Sequence, residues 1–155
     1  MISKSDAGNG SASEFIAFRI GVQECCIDIM SVREIRGWTP ATALPHAPSY
    51  VRGVINLRGS VLPIIDLSER LGFLPTETSA RQVIIVVQIR AQIIGLLVDA
   101  VSDILSQSTD AIQPTPNIAK GSVQSFLRGV LAIDGRMIGL IDLDSLIPAQ
   151  TEDAA

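Results

Sequence analysis

The chain repeats itself once. Residues 52–67, RGVINLRGSVLPIIDL, align without a gap on residues 128–143, RGVLAIDGRMIGLIDL, at an offset of 76. Arg-Gly-Val opens both copies, Gly59 meets Gly135, and Ile65-Asp66-Leu67 meets Ile141-Asp142-Leu143. Upstream, residues 15–35 align on residues 84–104 at an offset of 69. There Ile20 lies over Ile89, and Val32-Arg33-Glu34-Ile35 over Val101-Ser102-Asp103-Ile104. A unit this long seen twice points to a duplicated small domain, since a solenoid needs three or more repeats to bury a core. The offsets differ by 7, and the excess falls within residues 110–124, a stretch that holds Pro114 and Pro116. The repeat predicts one lobe at about 14–72, a second at about 82–148, and a connection near 72–81. Residues 1–13 and 149–155 are small and polar and read as flexible tails.

Each lobe reads as β. About one residue in five is Ile or Val, and β-branched side chains favour strands. Ile16, Phe18, Ile20 and Val22 alternate, as one buried strand face requires. Residues 25–29 form a second short strand. Residues 53–57 and 61–65 flank Arg58-Gly59-Ser60, and residues 127–133 and 136–141 flank Asp134-Gly135, a hairpin signal. Asp66 and Asp142 each precede a short helical stretch, whose free N–H groups a carboxylate can cap. Four or five short strands with one helical turn make a small barrel, and closure hides the edges that such apolar strands would expose. The expected class is therefore all-β: two small barrels of four or five strands each, with short helices.

Composition and motifs narrow the function. The net charge is −4 and aromatics are 4 %. That is a poor basis for phosphate neutralisation or base stacking, so no nucleic-acid partner is expected. The longest apolar runs, residues 83–87 and 93–98, fall far short of the ~20 residues that span a bilayer. The first dozen residues lack an apolar signal core, so a cytoplasmic location is expected. Cys25 and Cys26 are neighbours, a spacing that disfavours a disulfide of normal geometry. They read as small apolar strand residues in a reducing compartment.

His46 is the single histidine and sits in a loop between prolines, without a partner for base or metal chemistry. There is no G-x-S-x-G elbow, no phosphate-binding loop and no zinc-type spacing. An enzyme using Asp66, Asp142 or His46 would need perturbed carboxylates in a concave pocket. Capping is the simpler role for both aspartates, and neither cofactor nor metal is expected. What remains is surface, where the two copies differ. Arg58 becomes Asp134, Asn56 becomes Ala132, and Trp38 has no twin.

At these residues the chain becomes familiar. The runs DIMSVREIRGW (28–38), APSYVRGVINLRG (47–59) and VLPIIDL (61–67), with GLLVDAVSDIL (95–105), resemble the CheW family of bacterial chemotaxis adaptors. The resemblance covers about residues 14–148. It implies two SH3-like five-stranded barrels, no enzyme activity, and a scaffold that links methyl-accepting chemoreceptors to the histidine autokinase CheA at membrane-associated arrays. An adaptor of a related chemosensory pathway, controlling pili, development or second messengers, would use the same surfaces. Carried over by position, the receptor-facing groove maps to Ile29, Val32, Ile94, Val98 and Val101, each of which could equally be barrel core. The kinase-facing surface maps to Ile35, Asn56 and Arg58, and a second kinase contact to Gln113 and Ile118. Glu34 and Arg58 resemble a charge pair that couples the groove side to the hairpin side.

Overall fold

The computed structural model describes residues 12–77, 79, 81–115 and 125–147. Eleven strands fall into two sheets, with one short helix and three single 3₁₀ turns among the described residues. The strands are β1 (Ala12–Ile20), β2 (Gln23–Asp28), β3 (Val32–Gly37), β4 (Val51–Leu57), β5 (Ser60–Asp66), β6 (Val83–Ile89), β7 (Gln92–Val98), β8 (Ala100–Ser108), β9 (Ile112–Gln113), β10 (Leu127–Ile133) and β11 (Arg136–Ile141). Helix α1 is Leu67–Arg70, and its counterpart in the second copy is the 3₁₀ turn Leu143–Leu146. The all-β expectation holds. Ala12 and Ser13, which the sequence reading placed in the N-terminal tail, belong to β1. Residues 1–11 and 149–155 of the two expected tails, and most of the loop around Ile118, lie outside the described residues.

The sheets do not follow the two halves of the chain. The first runs β9-β10-β11-β2-β1-β8, and the second β3-β6-β7-β5-β4. Each sheet joins a hairpin from one half to a hairpin from the other by a parallel contact: β11 on β2, and β5 on β7. The last strand of each upstream copy then crosses over. Strand β3 pairs with β6, and β8 pairs with β1. The registers of these two pairs are related by the repeat offset of 69, since Ile35↔Ile85 corresponds to Ile16↔Ile104. Both carry a bulge at the same place, between Val32 and Glu34 and between Ala17 and Phe18. The molecule thus has a pseudo-two-fold relation built by reciprocal strand exchange.

Packing explains why the strands are apolar on both faces. Phe15, Ala17, Leu131 and Ile138 fill one barrel, and Ile55, Leu62, Ile64 and Ile84 fill the other. The largest cluster lies between them and draws Phe18 and Ile27 from one sheet, Ile85 and Leu96 from the other, and Leu67 and Leu146 from the helical turns. Residues 15–18 of β1 are therefore buried on both faces, and the expected continuation of the alternation to Val22 fails. Val22 sits in the β1–β2 turn and is exposed, because the alternation ends where the chain reverses at Gly21.

The repeated Arg-Gly-Val has a steric cause. A Cβ on Gly129 would lie 2.6 Å from the Gln113 carbonyl oxygen, and one on Gly53 would collide with the Thr42 carbonyl. In each lobe that carbonyl belongs to a short segment that pairs with the hairpin: Gln113 with Val130, and Thr42 with Val54.

Candidate protein-interaction site

The hairpin between β4 and β5 turns through two residues with positive φ, Arg58 at 52° and Gly59 at 86°. That conformation matches the twist of the flanking strands, and glycine at the second position removes its strain. Asn56 Oδ1 accepts from the Gly59 N–H at 3.0 Å and holds the turn. Arg58 reaches from the turn to β3, where its guanidinium donates to Glu34 Oε1. Glu34 Oε2 accepts from Arg36 at 3.0 Å. The bond from Arg58, then the bond from Arg36, hold the Glu34 carboxyl below its ordinary pKa. The charge pair expected from sequence is therefore present, but as a surface contact, with Arg58 69 % and Glu34 29 % exposed. Solvent screening limits what it adds to stability.

Apolar side chains border these charges. Ile35 is 44 % exposed and Val61 70 % exposed. Asn56 is exposed beside them and pairs with Val61 in the ladder. Val61 was not singled out from sequence. It could have been, because Leu62 and Ile64 face inward and a strand sends alternate residues outward. The second lobe repeats the arrangement. Ile104 and Met137, the counterparts of Ile35 and Val61, are exposed. Asp103, the counterpart of Glu34, pairs with Arg136 at 3.5 Å, and Arg136 also grips Glu24 at 2.6 Å. The hydrogen bond from Arg136 lowers the Glu24 pKa, and in turn Glu24 first and Asp103 second raise that of Arg136.

The five expected groove positions divide. Ile94 and Val98 are 1 % and 0 % exposed within the central core, so their side chains offer no surface to a partner. They were legible as apolar but not as groove, since β7 is covered on both faces. Val32 and Val101 are half-buried against the same core, and Ile29 is half-buried in the 3₁₀ turn Ile29–Ser31. Gln113 is exposed on β9, and Ile118 lies outside the described residues.

The residues weighed for catalysis behave differently from one another. Asp66 is fully buried and accepts from the Thr76 N–H and Oγ1, both at 2.8 Å, from Arg52 at 3.1 Å and from the Glu69 N–H at 3.4 Å. Its oxygens are committed to the cap and to the following segment. Asp142 departs from expectation: it precedes the 3₁₀ turn but makes no side-chain cap bond, and it pairs loosely with Arg128 at 3.6 Å. His46 is exposed in its loop with φ at 64°. Burial pushes both cysteine thiols up to about 12. Among the described residues no group of His, Cys, Asp and Glu is placed to hold a metal ion. Among them too, no helix is long and apolar enough to cross a membrane.

Comparison with known proteins bears on this arrangement. Residues 14–151 match the family model described as the CheW-like domain. The chain is 63 % identical over 142 residues to the chemotaxis protein CheW of Rhizobium meliloti, covering 92 % of each chain. It is 35 % identical over 144 residues to the chemotaxis protein CheW of Klebsiella aerogenes, covering 93 % of this chain and 87 % of that one. The crystal structure of a scaffolding CheW protein from Thermoanaerobacter tengcongensis superposes with a TM-score of 0.83 at 30 % identity, covering 92 % of this chain and 97 % of that one.

Proposed function

The chain belongs to the CheW family of chemotaxis scaffolds, and on that premise we propose that it is a non-enzymatic adaptor coupling methyl-accepting chemoreceptors to the histidine autokinase CheA. It works in the cytoplasm and is recruited to membrane-associated receptor arrays. The observation that carries this reading is the surface at the first hairpin. Exposed apolar Ile35 and Val61 flank a charge cluster of Glu34, Arg36 and Arg58, with Asn56 at the turn. Apolar contacts beside planar guanidinium groups suit a protein partner, since arginine pairs bidentately with carboxylates. Ile29, Val32 and Val101 supply the receptor-facing side, where partly buried apolar side chains can accept a hairpin tip. Gln113 marks the second kinase contact.

Glu34 stands between the two sides. It lies on β3, which follows the 3₁₀ turn bearing Ile29, and it holds Arg58 of the hairpin. We assign the pair the role of coupling them. The test is binding of the purified CheA regulatory domain and of a receptor-tip fragment to wild type, Arg58→Ala and Asp134→Ala. Kinase binding lost only in Arg58→Ala, with receptor binding intact, supports the site. Equal kinase binding by all three proteins overturns it, and binding of neither partner to wild type overturns the whole reading.

A further inference from the structure

A cavity of about 730 Å³ lies between the β1–β2 turn, the β7–β8 connection and the segment that follows α1. Its lining includes none of the residues assigned to the receptor or the kinase, and Ala100, beside Val101, comes nearest along the chain. Three of the lining side chains are large, apolar and exposed: Val22 at 87 %, Leu74 at 83 % and Phe73 at 36 %. Val22 and Leu74 project from backbone that is tied down. Gly21 bends the chain at a φ of 58°, and its N–H donates to Asp99 Oδ2 at 2.5 Å, which fastens the turn bearing Val22 to the β7–β8 connection. The Leu74 carbonyl accepts from Ser68 Oγ at 2.6 Å, and the Thr76 N–H and hydroxyl donate to the buried Asp66, both at 2.8 Å. Apolar groups clustered on a fixed backbone mark an interaction surface, and covering them costs little ordering entropy.

We propose that this face is a dimer interface, and that its occupant is the same face of a second copy of the chain. Projecting side chains and a cavity lie on one surface. A two-fold axis through it seats Val22 and Leu74 of each copy in the cavity of the other, the self-complementary form of an isologous contact. The charges have the same property. Arg19 and Arg81 line the cavity together with Glu77 and Asp99, two of each sign. Among the described residues none of these four makes an ion pair within the chain. A two-fold sets the cations of one copy against the anions of the other, whereas a partner carrying a single sign would meet like charge at half of them. The chain as a whole carries −4, so two copies repel across most orientations. This face is neutral and escapes that repulsion. An isologous contact consumes the face on both copies, so assembly stops at two.

Sedimentation velocity on the full chain across a concentration series tests this. Wild type is expected to pass from one chain to two, with nothing larger. Val22→Asp and Leu74→Asp, both at exposed positions, are each expected to weaken the dimer at least about tenfold, the loss of an interface anchor. Should either fail to fold, Val22→Ser or Leu74→Ser takes its place. Met30→Asp, at a side chain 86 % exposed outside the cavity, is expected to dimerise as wild type does. Wild type that stays a single chain at every concentration overturns the proposal. So does a dimer that survives the substitutions at Val22 and Leu74, or one that Met30→Asp weakens equally. Growth beyond two chains overturns it as well, since that requires a head-to-tail contact.

Discussion

Arg70 donates through Nε to the carbonyl of Leu146 at 2.8 Å, and Leu146 is the residue that stands in Arg70's own place in the second copy. The same guanidinium is stacked between two rings, 4.5 Å from that of Tyr50 and 4.7 Å from that of Phe126. Tyr50 and Phe126 are also counterparts across the offset of 76. One side chain therefore sits on the pseudo-two-fold axis and touches matching residues of both halves. Arg70→Lys keeps the charge but loses the Nε donor and the planar stack. It is expected to lower unfolding stability by about 1–2 kcal/mol, the scale of a partly desolvated cation–π contact with one hydrogen bond. Urea denaturation measures it, and an unchanged midpoint would remove the staple role.

Reciprocal strand exchange makes the halves interdependent. Residues 1–77 and 78–155 made separately each lack the partner strands of both sheets and half of the central core. Neither is expected to unfold cooperatively alone, and an equimolar mixture is expected to regain the circular dichroism of the intact chain. A half that folds by itself would contradict the pairing.

Glycines in the repeat are not equivalent. Gly53 has φ at 144° with the Thr42 carbonyl where a Cβ would go, whereas Gly135 has φ at 77° and open space around it. Gly53→Ala is expected to cost about 3–4 kcal/mol, as for other severe backbone strain and overpacking. Gly135→Ala is expected to cost about 1–2 kcal/mol, the strain of a side chain in the left-handed region. Thermal unfolding of the two variants ranks them.

The Glu34–Arg58 contact carries a pH signature. The Glu34 pKa is depressed below 4.5 in the folded protein, first by its bond from Arg58. Its contribution is therefore complete above about 4.5 and is lost as pH falls through the lower, folded value. Wild type should lose its advantage over Glu34→Gln in kinase binding as the pH drops through that window. A constant ratio from pH 7 into that window would argue against ionised Glu34 as the link.

Cys25 and Cys26 should be inert while the protein is folded. Burial raises both thiols from 9.0 to about 12, so no thiolate is present near pH 8. Their contribution to stability is full below 9.0 and is lost as pH rises through about 12. A thiol reagent at pH 8 is expected to label neither cysteine until denaturant is added, and prompt labelling would show an accessible, reactive site.

Some of this was legible without coordinates because it is local. The duplication, the two-residue turns at Arg58-Gly59 and Asp134-Gly135, the Asp66 cap and the opposite charges of Glu34 and Arg58 can all be read along the chain. The matching registers and φ values follow from those signals. Which strands pair was not legible, and the reason lies in the repeat itself. Two similar copies present interchangeable apolar edges, so a strand such as β3 could satisfy its hydrogen bonds in either sheet, and periodicity is the same in both cases. Burial of Ile94 and Val98 was hidden for the same reason, since an apolar strand reads alike whether it faces a groove or a second core. Only the three-dimensional packing, with one large core between the two barrels, decides that β3 crosses to β6, that β8 crosses to β1, and that Arg70 lands on the axis between the halves.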